Sequence, residues 1–172
     1  MRIEDFDALG TEQAQALLLQ WCACPRWARD VAAGRPFRTR PALTAEARAS
    51  WREADEAELL DAFAAHPRIG DVEHLRERFG RANAEQGQVL AADEAVLERL
   101  KTLNDRYSER FGFIFIVCAT GKSAEAMLAL LEARIDNDRT TELANAAREQ
   151  EAIMVLRLEQ AIDAPTDTGA TP

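Results

Sequence analysis

Only one run of this chain has the composition of a β-strand, and that run limits the possible folds more than any other feature. Phe, Ile and Val fill the stretch from Phe113 to Val117. A lone strand has no partner with which to form a sheet, and most of the remaining chain repeats apolar residues at helical spacing. The sequence therefore predicts an all-α, single-domain helical bundle with one short extended or irregular buried segment near residues 113–119.

Capping and breaking residues divide the helical segments. Three residues precede apolar stripes and are predicted N-caps: Thr11, Thr44 and Ser123. Two glycines, Gly34 and Gly112, are predicted to end helices. Pro36 and Pro41 punctuate residues 35–43, which are predicted to form a loop.

The length and composition indicate one domain with its own core. The chain has 172 residues, of which 47% are hydrophobic. We expect residues 1–162 to form the helical domain. Residues 163–172 lack large apolar side chains and are expected to be disordered. No apolar run is long enough to cross a bilayer, and the acidic N-terminus does not resemble a signal peptide, so a cytoplasmic protein is expected.

Charge and cysteine content exclude several classes of function. The formal net charge of −9 argues against general binding to nucleic acid or to anionic membranes, although it does not exclude an anionic substrate. Cys22, Cys24 and Cys118 are expected to be free thiols, since an odd count without a secretion signal does not suggest a disulfide framework. With only two histidines in the chain, no zinc or other metal site is predicted.

His66 is the first candidate for chemistry, because it closes an apolar helical run and is followed at once by Pro67. The residue before a proline is disfavoured in the α-helical region, so His66 is expected where the helix ends. A histidine at that point either takes part in chemistry or stabilises the C-terminus of the helix through its dipole. Sequence physics alone favours the second interpretation slightly.

Three further segments carry candidate residues, each with an ordinary alternative. Glu85 and Gln86 face either a pocket or water. The backbone of Phe113–Val117 either binds a polar ligand or simply fills the core. Arg157, at the edge of an apolar stripe, either extends to solvent or faces an anion. Arg134 is a second candidate, although its place near a helix end suggests dipole compensation.

Three segments in this order resemble one known family. They are "HPRIGD", "AEQGQV" and the block that runs from "RFGFIFIV" to "VLRL". Together they resemble the OHCU decarboxylases, which convert 2-oxo-4-hydroxy-4-carboxy-5-ureidoimidazoline (OHCU) to (S)-allantoin in urate degradation. The resemblance extends from about Phe6 to Ile162 and is most specific in the first and last of these segments.

The resemblance implies an all-helical homodimer and a set of site residues. It places the catalytic histidine on His66, its acidic partner on Glu85 and the arginine of the last helix on Arg157. It also implies the residues that contact substrate, which are Pro67, Glu85, Gln86, Phe113, Ile114, Phe115, Ile116 and Val117. One departure is visible: Ala82 stands where the family often has serine, so a hydroxyl contact is either missing or supplied by Asn83.

The resemblance further implies catalysis without a cofactor or metal. The conjugated imine of the substrate ring can accept the electron pair that decarboxylation leaves behind, and the chain shows no motif for a cofactor. The other hypothesis is a non-catalytic helical interaction domain in which His66 only ends a helix. The joint occurrence of His-Pro, Glu-Gln and the apolar 113–117 run favours the enzyme.

Overall fold

Helices make up all of the regular secondary structure in the computed structural model, which describes residues 1–66 and 90–163. In chain order they are α1 (Ile3–Asp7), α2 (Thr11–Trp21), α3 (Pro25–Ala33), α4 (Arg40–Arg52), α5 (Glu56–Ala64), α6 (Leu90–Phe111), α7 (Ala124–Arg134) and α8 (Arg139–Ala161). The described residues contain no strand, so the all-α prediction is confirmed for them.

The start of α4 differs from the prediction. Thr39, rather than Thr44, is the N-cap, and its hydroxyl oxygen accepts a hydrogen bond from the Ala42 amide at 3.3 Å. Pro41 lies in the first helical turn, where a missing N–H costs nothing because that amide would have no partner in the helix. The prediction of a loop over residues 35–43 is therefore wrong from Arg40 onward.

The other predicted helix ends agree more closely with the structure. Ser123 caps α7, since its hydroxyl oxygen accepts from the Ala126 amide at 3.2 Å. Gly34 follows α3 as predicted, and Gly112 follows α6 with a φ of +78°, a conformation that glycine adopts without strain. Thr11 is the first residue of α2 rather than its cap, a position held by Gly10.

Two compact units can be distinguished along the chain. The first consists of Met1–Ala65 with Gln150–Pro172, and the second of His66–Glu149. Helices α1 to α5 belong to the first, α6 and α7 to the second, and α8 has residues in both.

Five aromatic side chains are buried in the core of the first unit. Helix α3 packs against α2 and α4, and the Trp27 indole N–H donates to the Ala47 carbonyl at 2.9 Å. Each fully buried side chain of this size stabilises the fold by roughly 1.5–3 kcal/mol relative to exposure. The largest buried residues are Phe6, Leu18, Trp21, Trp27, Leu43, Trp51, Phe63, Met154 and Leu158.

The core of the second unit surrounds Tyr107. Helix α6 packs against α7, and the Tyr107 ring lies 4.5 Å from Phe111, 5.9 Å from Phe113 and 5.3 Å from Phe115, measured between centroids. These rings join the end of α6 to the segment that follows it. None of the described helices has the combination of length and apolar composition that crossing a membrane requires.

Candidate active site

His66 follows directly on the end of α5. Asp55 begins that helix, and its carboxylate accepts from the Glu58 amide at 2.9 Å while the Glu58 carboxylate accepts from the Asp55 amide at 3.1 Å. The helix ends at Ala64, Ala65 is its C-cap, and the half-buried His66 lies in a bend. The predicted position of His66 is confirmed, whereas its chemical role stays a prediction.

Several predicted site residues lie outside the described residues. These are Pro67, Glu85 and Gln86, together with Ala82 and Asn83. The roles that the resemblance implies for Pro67, Glu85 and Gln86 therefore stay predictions. Of the predicted C-terminal tail, only Asp163 is described.

The segment Phe113–Val117 is irregular and largely buried, as predicted. Phe115 is 3% exposed, Ile116 2% and Val117 6%. Among the described residues, the amides of Ile114, Phe115, Ile116 and Val117 have no hydrogen-bond acceptor. Buried amides are normally paired, and the binding of a polar ligand by this backbone stays a prediction.

Arg134 is buried in a polar cluster behind this segment, and not exposed at the end of α7. Its guanidinium donates to the Glu142 carboxylate at 2.9 Å and to the Ile116 carbonyl at 3.0 Å. It also lies 4.7 Å from the centroid of the Phe115 ring. Dipole compensation at the helix end is thus not its main interaction, because a buried carboxylate and a backbone carbonyl hold its donors.

Glu142 is fully buried, and every part of its carboxylate is used. One oxygen accepts from the Tyr107 hydroxyl at 2.6 Å as well as from Arg134, and the other accepts from Asn137 and Asn145, both at 2.7 Å. Burial raises the pKa of Glu142, but these hydrogen bonds and the Arg134 charge outweigh that effect and lower the pKa overall. Burial and the Glu142 bond raise the pKa of the Tyr107 hydroxyl.

The sequence did not reveal this cluster. Its members come from α6, α7 and α8, and only tertiary packing brings them together. The one available signal was that Tyr107 is the single tyrosine of the chain, which alone does not indicate a carboxylate partner.

Arg157 lies on α8, in the part that belongs to the first unit. It is half-buried, and its Nη1 donates to the Trp21 carbonyl at 3.0 Å and more weakly to the Gln20 carbonyl at 3.5 Å. These are carbonyls at the C-terminus of α2, which have no partner within the helix. Within the described part of the chain, no carboxylate forms an ion pair with Arg157.

The three cysteines form no disulfide. All three are free, and Cys22 and Cys24 are buried. Burial raises the pKa of the Cys22 thiol to about 12, so it is protonated at neutral pH. Among the residues described, no group of three or more His, Cys, Asp and Glu side chains is arranged to hold a metal ion.

Comparison with known proteins gives consistent results. A family model described as OHCU decarboxylase matches residues 7–159. The chain is 30% identical over 161 residues to the uric acid degradation bifunctional protein TTL of Arabidopsis thaliana, covering 88% of this chain and 50% of that protein. This chain thus spans about half the length of that relative.

Two further similarities cover most of both chains compared. One is to the 2-oxo-4-hydroxy-4-carboxy-5-ureidoimidazoline decarboxylase of Halalkalicoccus jeotgali, at 29% identity over 140 residues, 81% of this chain and 76% of that one. The other is to a crystal structure of OHCU decarboxylase in the presence of (S)-allantoin, with a TM-score of 0.68, 30% identity, and coverage of 83% and 94%. Because the family model matches nearly the whole sequence, this chain belongs to the OHCU decarboxylase family.

Proposed function

We propose that this chain converts OHCU to (S)-allantoin and carbon dioxide. It is a carboxy-lyase of urate degradation that works without a cofactor. The observation that carries the proposal is the run of four amides from Ile114 to Val117, which have no acceptor among the described residues of a chain from this family. Three of these four residues, Phe115 to Val117, are buried. The carbonyl oxygens and ureido group of OHCU are suitable acceptors for them.

His66 is the proton-transfer residue in this proposal. Histidine titrates near neutral pH, so it can exchange a proton with the hydroxyl or with a carbon of the substrate. His66 lies in the bend that follows α5. A well-placed general acid or base of this kind contributes about 100- to 10,000-fold in rate.

Glu85, Gln86 and Pro67 also act on the substrate in this proposal. The Glu85 carboxylate orients the substrate ring and stabilises charge on it, and Gln86 and Pro67 contact the substrate. The residues of Phe113–Val117 contact the substrate as well. These assignments follow the family motifs that the residues occupy.

Arg157 is a better candidate than Arg134 for binding an anionic or carbonyl group of the substrate. The Arg134 charge is already compensated by the buried Glu142 at 2.9 Å, and its donors are used inside the cluster. Arg157 has hydrogen bonds only to backbone carbonyls, and within the described residues no carboxylate neutralises it. Its charge is therefore available to a carboxylate.

The reaction needs no external electron sink. When the carbon–carbon bond to the carboxylate breaks, the electron pair enters the conjugated imine of the ring, and carbon dioxide leaves. Protonation from one face then gives the S enantiomer. The protein contributes positioning, proton transfer and the choice of that face. A homodimer and a cytoplasmic location are also part of this proposal.

Turnover is the test, because a non-catalytic helical domain could also bind a small molecule. OHCU is generated in situ from urate, and the circular dichroism of allantoin is followed with and without the protein. A faster rise of the (S)-allantoin signal is expected. An unchanged rate would contradict the proposal and favour the non-catalytic interaction domain.

A further inference from the structure

Val117 lies between two backbone groups that side chains hold in place. The Ile116 carbonyl accepts from Arg134 Nη1 at 3.0 Å, and the Cys118 amide donates to Glu149 Oε2 at 2.7 Å. The peptide bonds on both sides of Val117 are trans. In a trans peptide the C=O and N–H point in opposite directions. The Val117 N–H therefore points away from Arg134, and the Val117 C=O points away from Glu149.

These two groups of Val117 form an unused donor and acceptor pair. Within the described residues neither makes a hydrogen bond, although Val117 is only 6% exposed. A buried backbone donor and acceptor without partners cost free energy unless something binds them. An amide or ureido group has the complementary acceptor and donor side by side.

The arginine that holds Ile116 is itself fixed in position. Its guanidinium pairs with the fully buried Glu142 and lies over the Phe115 ring, and the Tyr107 hydroxyl donates to the same carboxylate. A buried ion pair is weak support for stability, since well-packed apolar side chains of similar volume often stabilise a fold equally well. What the pair does supply is a fixed direction for the Arg134 donors, and so for the Ile116–Val117 peptide.

We propose that Arg134 and Glu149 are positioning residues that hold the peptides on both sides of Val117, so that the Val117 N–H and C=O bind the ureido group of the substrate. This inference rests on the proposed function. Neither side chain has to touch the substrate, because each acts through the backbone.

The first test removes the acceptor of the Cys118 amide. Glu149→Ala is expected to raise KM about tenfold while kcat changes much less, because a hydrogen bond made equally in the bound and transition states affects binding alone. Glu149→Gln keeps an acceptor oxygen and is expected to recover most of that loss. Glu132→Ala, which removes an exposed carboxylate paired with Arg99 at 2.7 Å, is the control and should leave KM unchanged.

The second test removes the donor to the Ile116 carbonyl. Arg134→Met alone leaves Glu142 buried and unpaired, which threatens folding. The triple variant Tyr107→Phe, Arg134→Met, Glu142→Leu replaces the three buried polar side chains with apolar groups. Asn137 and Asn145, which also donate to Glu142, are partly exposed and can donate to water instead. The triple variant is expected to retain its thermal midpoint and to show the same rise in KM.

Arg110→Met is the matched control for Arg134. Arg110 is exposed, donates to the Asn137 carbonyl at 3.3 Å and lies 5.5 Å from the Phe111 ring centroid, so it makes the same two kinds of contact away from Val117. The KM of the Arg110→Met variant should equal that of the unmodified protein. In addition, the Val117 amide resonance should shift when (S)-allantoin is added to the unmodified protein, and not when it is added to the triple variant.

The outcomes separate the two proposals. If the unmodified protein shows no turnover, the proposed function fails and the positioning role fails with it. If it turns over while Glu149→Ala and the folded triple variant match their controls in KM, the proposed function stands and the positioning role is wrong. A loss in kcat alone for these variants would also contradict the role, since it would indicate contact with reacting atoms.

Discussion

Arg157 donates from Nη1 to the carbonyl oxygen of Trp21 at 3.0 Å, at the C-terminal end of α2. This bond gives Arg157 a structural role in addition to the catalytic role proposed for it. The two roles have effects of different size. A bond to a helix-end carbonyl is worth about 1 kcal/mol of stability, whereas a residue that holds the reacting anion contributes on the order of 100-fold or more in rate.

We predict that Arg157→Met lowers kcat/KM at least about 100-fold and lowers the free energy of unfolding by only about 1 kcal/mol. Steady-state kinetics and urea unfolding measure the two effects. Arg40→Met is the matched control, because Arg40 donates in the same way to the Ile162 carbonyl at 3.3 Å and has no proposed role in the reaction. Equal activity of the two variants would remove Arg157 from the site.

The effect of two threonine substitutions on stability distinguishes the observed N-cap of α4, Thr39, from the one that the sequence predicts, Thr44. Thr39→Ala should cost about 1 kcal/mol, because Thr39 accepts the Ala42 amide. Thr44→Ala should cost less than about 0.5 kcal/mol, since the Thr44 hydroxyl only donates to the Arg40 carbonyl inside the helix. Urea unfolding of both variants is the measurement, and the reverse order would contradict the observed helix start.

The sequence predicted the features that depend on local chemistry. The cap at Ser123 is predictable because serine and an apolar stripe are adjacent in the sequence. The buried, irregular nature of residues 113–117 followed from the absence of any second strand. The start of α4 was placed too late because a proline fits both a loop and the first turn of a helix, and only the Thr39 hydrogen bond decides between them.

The features that depend on tertiary packing could not be predicted. Arg134, Glu142 and Tyr107 are far apart in the sequence, and each by itself has an ordinary surface or core interpretation. Whether a charge is buried depends on the packing of three helices, and local periodicity does not encode it. Because burial of a charge cannot be predicted locally, the sequence alone does not decide whether Arg134 or Arg157 binds the substrate.

Acid should weaken the contacts of Glu151. Burial raises the pKa of this glutamate, but hydrogen bonds and charge from Arg52 and Arg48 outweigh burial, so its pKa lies below the ordinary value of 4.5. A carboxylate with a lowered pKa stabilises the fold above the unfolded-state pKa, and the stabilisation is lost as pH falls through the folded-state value.

We therefore predict that Glu151→Gln lowers the free energy of unfolding by about 1 kcal/mol at pH 7. The difference from the unmodified protein should shrink progressively as pH falls below the ordinary glutamate value. Glu159→Gln, an exposed change on the same helix, is the control. A difference that stays constant from pH 7 to acid would show that the Glu151 charge is not what stabilises the fold.

Removal of metal ions should have no effect on turnover. The proposed reaction uses the substrate ring as its electron sink, so no Lewis acid or organic cofactor takes part. We expect full activity after dialysis against a chelator, measured in the same assay before and after. Loss of activity that a specific metal restores would contradict the cofactor-free mechanism.

In the proposed reaction, this chain produces (S)-allantoin from OHCU by proton transfer through His66. The most direct measurement is the circular dichroism time course of allantoin, with OHCU generated from urate, in the presence of the unmodified protein or of His66→Ala. The far-ultraviolet helical signal of the variant confirms that it is folded. We expect rapid formation of (S)-allantoin with the unmodified protein and the uncatalysed rate with folded His66→Ala. A folded variant that keeps most of the activity would contradict the assignment, and an unmodified protein that leaves the rate unchanged would contradict the function itself.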